Sequence, residues 1–305
     1  MIDVKPILVV MVWRGGERFA RCLSSIERST QYFSRIVLSI TSELDSTDVQ
    51  LANAFKSEHP EVEVICTEVE LPTMQHQDYW VTYLEQTGAK QTDWIYWLAY
   101  DDQVWPHGLQ ALTNSSNELS LDTNTVYFGP WAMRHEQPES LWAGSESEDM
   151  EVWTSFPAQG PTTLPLLKWI TDQLRQPTYM QMSGSVIPFA NYVELRDSTP
   201  KKTGPMRIEM AAAAGRKTQS VSEFAEPISV IYGRSNSDRA TYGATARKED
   251  IHLIRYLLRH ATGSPKEFPQ LVSLLSGQAK AQITQRFFGS PAPTEEWRVR
   301  GMTSL

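Results

Sequence analysis

The stretch "WIYWLAYDDQVWPHGL" (94–109) runs from an apolar segment directly into two adjacent acids, Asp101 and Asp102, and then into a proline turn. A segment apolar at successive positions reads as a strand buried on both faces, the habit of parallel sheets covered by helices. Two like charges at its end have three explanations. They could cap a helix, decorate a solvated loop, or hold a divalent cation against a phosphate. In open parallel sheets ligands bind beyond the carboxyl ends of the strands. The preceding segments therefore decide how the acids are read.

Those segments alternate strand and helix. "ILVVMVW" (7–13) is a first apolar run, and "GERFARCLSSIERS" follows with Phe19, Cys22, Leu23 and Ile26 at helical spacing. "RIVLSIT" (35–41) reads as a second strand, and the helix after it has Ser46 as N-cap and Pro60 beyond its end. "VEVICTE" (62–68) is a third strand, "HQDYWVTYLEQTG" a third helix with Gly88 near its C-cap, and "DWIYWLAY" (93–100) a fourth strand. This rhythm implies a mostly parallel α/β sheet with right-handed crossovers.

Beyond residue 110 the pattern is less regular. "GLQALTNSSNEL" (108–119) reads as helix and "TVYFGPWAM" (125–133) as one strand. Residues 134–165 are polar and acidic, too long for a passive connection, and suggest a binding loop or lid. "PLLKWITDQL" is helical, "YMQMSGSVIP" a strand or paired turn, "RIEMAAAAGRK" a short helix and "EPISVIYGRS" a strand. From 246 onward short amphipathic helices are expected, placed to pack on the main domain, to form a homodimer, or to lie on a membrane surface. The expected division is 1–115 and 116–245 as two halves of one domain, with 246–305 as a helical extension.

Composition narrows the partners. A net charge of −8 argues against nucleic acid, whose phosphates need a basic face, yet leaves room for a nucleotide ligand. Ten tryptophans, many in the middle third, are a hint of carbohydrate, although most tryptophans are core. Cys22 and Cys66 lack metal-ligand spacing and read as reduced core residues. No apolar run is long enough to span a membrane and the N-terminus lacks the marks of a signal peptide, so the expected compartment is the cytoplasm. The chain has no P-loop, no G-x-G-x-x-G and no G-x-S-x-G, which disfavours kinases, dinucleotide-dependent dehydrogenases and α/β-hydrolases. His76, before the predicted third helix, is open to two readings, a nucleotide neighbour or a surface cap.

A nucleoside diphosphate asks three things of such a sheet: a loop after the first strand for the base, an acid after the second for base or ribose, and acids after a later strand for a metal. "MVWRGGE", "ITSELDSTD" and "LAYDDQ" supply them in that order. Taken together, they resemble the GT-A-fold glycosyltransferases of the large family-two type, which build bacterial surface polysaccharides such as O-antigen. The resemblance rests on Trp13-Arg14, Glu17 and "RCLSSI" (21–26), on Glu43 with Ser46, Thr47 and Asp48, and on Asp101, Asp102, Trp105, Pro106 and Leu109. Two positions depart from the family pattern: Ala99 stands where the first acid of an Asp-x-Asp is usual, and Arg14 where Asn is usual.

The resemblance implies a GT-A fold and transfer of a sugar from a nucleotide-diphosphate donor to a saccharide or lipid-linked saccharide acceptor, at or near the inner face of a membrane. It implies Val12, Trp13, Arg14, Glu43, Tyr100 and Asp101 around the donor, and Asp101 with Asp102 as ligands of Mn²⁺ or Mg²⁺. A one-acid motif can still hold such an ion, because substrate phosphates and water share it. Glu209, opening a short helix, takes the role of general base for an inverting transfer, with Glu194 and Asp197 as alternatives. Arg234 is a candidate diphosphate contact. Two other functions stay open: a sugar nucleotidyltransferase, suggested by "WRGGERFAR", and a lapsed nucleotide-sugar-binding module, suggested by Ala99.

Overall fold

A computed structural model describes residues 1–135, 150–153, 162–175, 183–198 and 208–233, together with residues 269, 273 and 302–303. In chain order the strands are β1 (Ile2–Val4), β2 (Ile7–Val12), β3 (Arg35–Ile40), β4 (Val62–Cys66), β5 (Trp94–Ala99), β6 (Gln103–Val104), β7 (Leu119–Leu121) and β8 (Thr125–Phe128). They continue as β9 (Trp131–His135), β10 (Met150–Trp153), β11 (Thr163–Pro165), β12 (Ser185–Pro188), β13 (Ser220–Glu223), β14 (Ser229–Gly233) and β15 (Met302–Thr303). The helices are α1 (Glu17–Glu27), α2 (Thr47–Glu58), α3 (Thr73–Gln86), α4 (Pro106–Leu112), α5 (Leu166–Arg175), α6 (Phe189–Ser198) and α7 (Ile208–Ala213).

Among the described residues the central sheet has eight strands in the order β11-β13-β8-β12-β5-β2-β3-β4. β5, β2, β3 and β4 pair in parallel, as the alternation of strand and helix predicts, so their carboxyl ends share one edge. Every residue of β2 is buried. Alternate β2 side chains feed two cores. Ile7, Val9 and Met11 face Trp80, Trp97 and Trp169, whereas Leu8, Val10 and Val12 face Phe19, Ile26 and Phe55. Burying both faces is what holds this register, because a one-residue slip would exchange the two cores.

The second half of the chain joins the same sheet by antiparallel insertion. β12 lies between β5 and β8, antiparallel to both, with Ser185 opposite Trp97. A second sheet, β15-β10-β9-β14-β6, takes up the strands that leave the first. The predicted single strand at 125–133 is thus two. Gly129-Pro130 breaks it, and β8 stays in the central sheet while β9 pairs with β10 and β14. A Cβ on Gly129 would fall 2.8 Å from Ile228 Cγ1, so the crossing needs glycine there.

The helix expected over 108–119 ends at Leu112. Asn114 Oδ1 accepts the amides of Ser116 and Glu118, and Asn117 adopts a left-handed φ of 59°. Short polar side chains that bond nearby backbone outcompete the helix, and the chain turns into β7, which pairs with β1. The expected loop at 134–165 contains β10 and β11, and its residues 136–149 and 154–161 lie outside the described residues. So do the C-terminal helices expected after residue 246, apart from the few positions named above. No helix among the described residues is long and apolar enough to cross a membrane.

Candidate functional site

The loops that follow β2, β3 and β4 meet at the carboxyl edge of the parallel strands and enclose a cleft of about 620 Å³. The first loop contributes Arg14, the second Ser42, Glu43, Asp45 and Ser46, and the third Glu68, Val69 and Glu70. Trp13, Leu44 and Val69, one from each loop, are exposed apolar side chains at this edge. Arg14 spans from the first loop to the third: its Nε donates to Glu70 Oε1 at 2.8 Å and Nη2 to Oε2 at 3.2 Å. Its guanidinium also lies 5.3 Å from the centre of the Trp13 ring. The hydrogen bonds from Arg14, with a contribution from the Trp13 side chain, hold the Glu70 carboxyl below its ordinary range.

Backbone hydrogen bonds lock the loops after β3 and β5 to the end of β2. Thr41 N–H donates to Val12 O at 3.0 Å and Tyr100 N–H to Met11 O at 3.2 Å. Thr41 Oγ1 accepts the Leu71 amide at 2.5 Å, tying the third loop to the second. Ser46 caps α2 as the sequence suggests, its side chain accepting from the Val49 amide. Asp48, in the first turn of α2 and only 4% exposed, turns its carboxylate back to the first loop. Oδ2 accepts the Gly15 amide and Oδ1 the Gly16 amide, each at 2.8 Å.

The two acids after β5 have different surroundings. Asp101 is half-buried, whereas Asp102 is buried. Ser183 Oγ donates to Asp102 Oδ2 at 2.5 Å and accepts the Ala99 amide at 3.0 Å, so one serine joins both strands of the β5–β12 junction to the acid. On the other side, Gln103 donates from its side-chain Nε2 to Arg21 O and Val104 from its backbone N–H to Ser25 Oγ, seating β6 on α1. Burial, together with the nearby Asp102 and Asp101 charges, pushes the Cys22 thiol well up. Cys22 is therefore an inert thiol beneath the acids, in keeping with its expected core role.

Of the candidate residues, the structure brings Arg14 and Glu43 together in the cleft wall, with Val12 and Trp13 leading into it. Tyr100 and Asp101 stand on the next loop, and a Cβ on Gly15 would lie 3.0 Å from Tyr100 Cδ2, so the first and fourth loops touch. Glu209 is the second residue of α7, and its side chain lies outside the described residues. The α7 backbone is docked by Asn191, whose Nδ2 donates to Ala212 O at 2.8 Å. Glu194 Oε2 accepts the Arg216 amide at 2.9 Å. Arg234 lies outside the described residues.

His76 proves not to be a surface cap. It lies in the first turn of α3, 2% exposed, with Nε2 2.8 Å from Ser39 Oγ. Burial lowers its pKa to about 4, against the smaller opposite effect of the Ser39 contact. Asp48 and Ser183 are the residues that sequence reading passed over. Asp48 was visible as part of a motif but not as the holder of a neighbouring loop, and nothing local marks Ser183 as the partner of an acid 81 residues away.

Compared as a sequence, the chain matches no family profile and no curated protein. Compared as a structure, it is similar to the mannosyltransferase PcManGT from Pyrobaculum calidifontis, solved with GDP-Man and Mn²⁺. That match has a TM-score of 0.51 and 11% identity, covering 95% of this chain and 77% of the other. It is also similar to S. aureus TarS, at a TM-score of 0.49 and 11% identity, covering 91% of this chain. The chain spans about half, 49%, of that TarS chain. A third similar structure is GalNAc-T7 with UDP, GalNAc and Mn²⁺, at 0.49 and 13%, covering 94% of this chain and 59% of that one. The fold is the mixed α/β GT-A arrangement, a large mostly parallel sheet flanked by helices.

Proposed function

We propose that the protein is a glycosyltransferase that moves a sugar from a nucleotide-diphosphate donor to a saccharide or lipid-linked saccharide acceptor in surface polysaccharide synthesis. One observation carries the reading. In a GT-A fold, the three loops that close the cleft and the acids of the fourth loop sit together at the carboxyl edge of four parallel strands. The solved structure of similar fold, PcManGT, holds GDP-Man and Mn²⁺. Here Trp13 and Arg14 would flank the base, Glu43 would accept from base or ribose, and Val12 and Tyr100 would complete the donor wall.

The donor set after β5 suits a hard divalent ion in part. Asp101 offers a half-buried carboxylate, Asp102 spends one oxygen on Ser183, and Ala99 offers nothing. Among the described residues no group of three or more His, Cys, Asp or Glu side chains is placed to hold a metal. Asp101, aided by Asp102, would therefore hold Mn²⁺ or Mg²⁺ only in company with donor phosphates and water. Such an ion, when bound, offsets charge on a departing diphosphate.

The remaining chemistry falls to the chain. The acceptor hydroxyl oxygen attacks the anomeric carbon opposite the diphosphate, and the bond from carbon to diphosphate oxygen breaks, its electron pair leaving with the diphosphate. Attack from that opposite face inverts the anomeric carbon, Glu209 takes the hydroxyl proton as general base, and Arg234 would meet the diphosphate. A cytoplasmic site for this reaction is part of the same proposal.

Calorimetric titration of the full chain with UDP, GDP, CDP and dTDP, each with and without Mn²⁺, tests the cleft. Binding of one of them, tightened by Mn²⁺, is expected; no binding by any would remove the reading. A second reading, a nucleotide-sugar-binding module without turnover, is favoured by Ala99 and by the inward engagement of Asp102. It predicts the same binding with no product.

A further inference from the structure

We infer that Asp48 is a positioning residue for the donor cleft: from the start of α2 it sets the shape of the Trp13–Gly16 loop and thereby the affinity for the nucleotide. The inference rests on the reading of the cleft as the donor site.

Asp48 holds two consecutive amides, Gly15 and Gly16, one on each carboxylate oxygen and both at 2.8 Å. These two residues are the entry to α1, whose N-cap, Gly16, makes no side-chain capping bond of its own. Asp48 thus caps α1 from another helix, and a capping role alone would be a matter of stability. The residues on either side of the tether indicate more. Gly16 sits at φ 52°, ψ −128°, a conformation open in practice to glycine alone. Arg14, two residues earlier, also has a left-handed φ of 52°, uncommon for a residue with a side chain. That backbone turn directs Arg14 across to Glu70 on the third loop.

Gly15 is packed between α1 and the fourth loop. A Cβ there would lie 2.6 Å from Phe19 Cβ and 3.0 Å from Tyr100 Cδ2. One buried carboxylate therefore links α2, which carries Ser46 of the second loop, to the first loop, and through Arg14 to the third. Three walls of the cleft depend on it.

The consequence is a split between binding and turnover. If weakening the tether leaves the loop in its binding shape a tenth of the time, the apparent Kd rises about tenfold. Donor at saturation restores the shape, so kcat is kept.

The test is Asp48→Asn, which keeps one acceptor oxygen but sets an NH2 group against the second glycine amide. Kd for whichever nucleoside diphosphate binds the wild-type chain, and KM for the matching nucleotide sugar, should rise about tenfold or more. kcat should stay within about twofold. Gly16→Ala is the second variant, because no atom lies within 4 Å of the added methyl and only the loop backbone is strained. It should give the same split without touching α2, so a failure of Asp48→Asn to fold leaves the idea exposed to refutation. Unchanged Kd in folded variants, or a fall in kcat at unchanged KM, would overturn the role of Asp48 while the nucleotide reading stands. A wild-type chain that binds no nucleoside diphosphate would overturn both.

Discussion

Acidification from about pH 7.5 to about pH 5 should cost the fold more than its carboxylates explain, and His76 is the reason. In the folded protein its pKa is about 4, against 6.5 for a free imidazole, because it is buried. The folded pKa lies below the unfolded one, so between these values the unfolded chain binds the extra proton. Stability is then complete above pH 6.5 and is lost as pH falls toward 4. At 1.36 kcal/mol per unit, the whole window is worth about 3 kcal/mol, of which about 2 are gone by pH 5. Glu63 acts in a different range. Burial raises its pKa, but hydrogen bonds from Arg35 and Tyr83 outweigh that and leave it low, so its contribution fades only below the ordinary carboxylate value of 4.5. Urea unfolding of wild type and His76→Gln at both pH values isolates the imidazole. The wild type should lose about 2 kcal/mol more than the variant. Equal losses in the two proteins would refute the burial argument.

Two further outcomes follow from particular contacts, and a third from the proposed chemistry. Ser183→Ala strips Asp102 and the Ala99 amide of a shared buried partner and should lower stability by about 2–3 kcal/mol, read by chemical denaturation. Gly108→Ala gains about 1 kcal/mol of helix propensity. That gain is outweighed because the new Cβ would sit 1.6 Å from Pro227 O, a backbone atom, so a lower Tm is expected. Glu209→Gln should cut kcat by about 10²-fold or more with KM for the donor unchanged, the mark of a lost base rather than lost binding.

The parallel half of the fold is legible in the sequence because its inner strands are buried on both faces. β2, β3 and β5 read as apolar runs, and the loops that follow them stand out by contrast. Ser46 is equally legible, since a cap acts within one turn. The antiparallel insertion is not. β12 is four residues ending in Pro188, and only its partners β5 and β8, far away in sequence, make it a central strand. The same limit applied to the site. Glu43 and Asp101 could be placed at strand ends by counting along the chain. The bonds from Asp48 to Gly15 and from Ser183 to Asp102 join segments 33 and 81 residues apart, and no local pattern marks them. His76 misled for a related reason: its burial depends on a serine in β3, and imidazole at a helix start more often faces water.

The central claim is glycosyl transfer at the edge where Asp101 stands. The most direct measurement incubates the full chain with nucleotide sugars, Mn²⁺ and a saccharide acceptor panel, and quantifies released nucleoside diphosphate against glycosylated product, alongside Asp101→Asn. Stoichiometric nucleoside diphosphate and product from the wild type is expected, with turnover by the variant reduced at least about 10²-fold. Release of pyrophosphate, or a variant as active as the wild type, would contradict it.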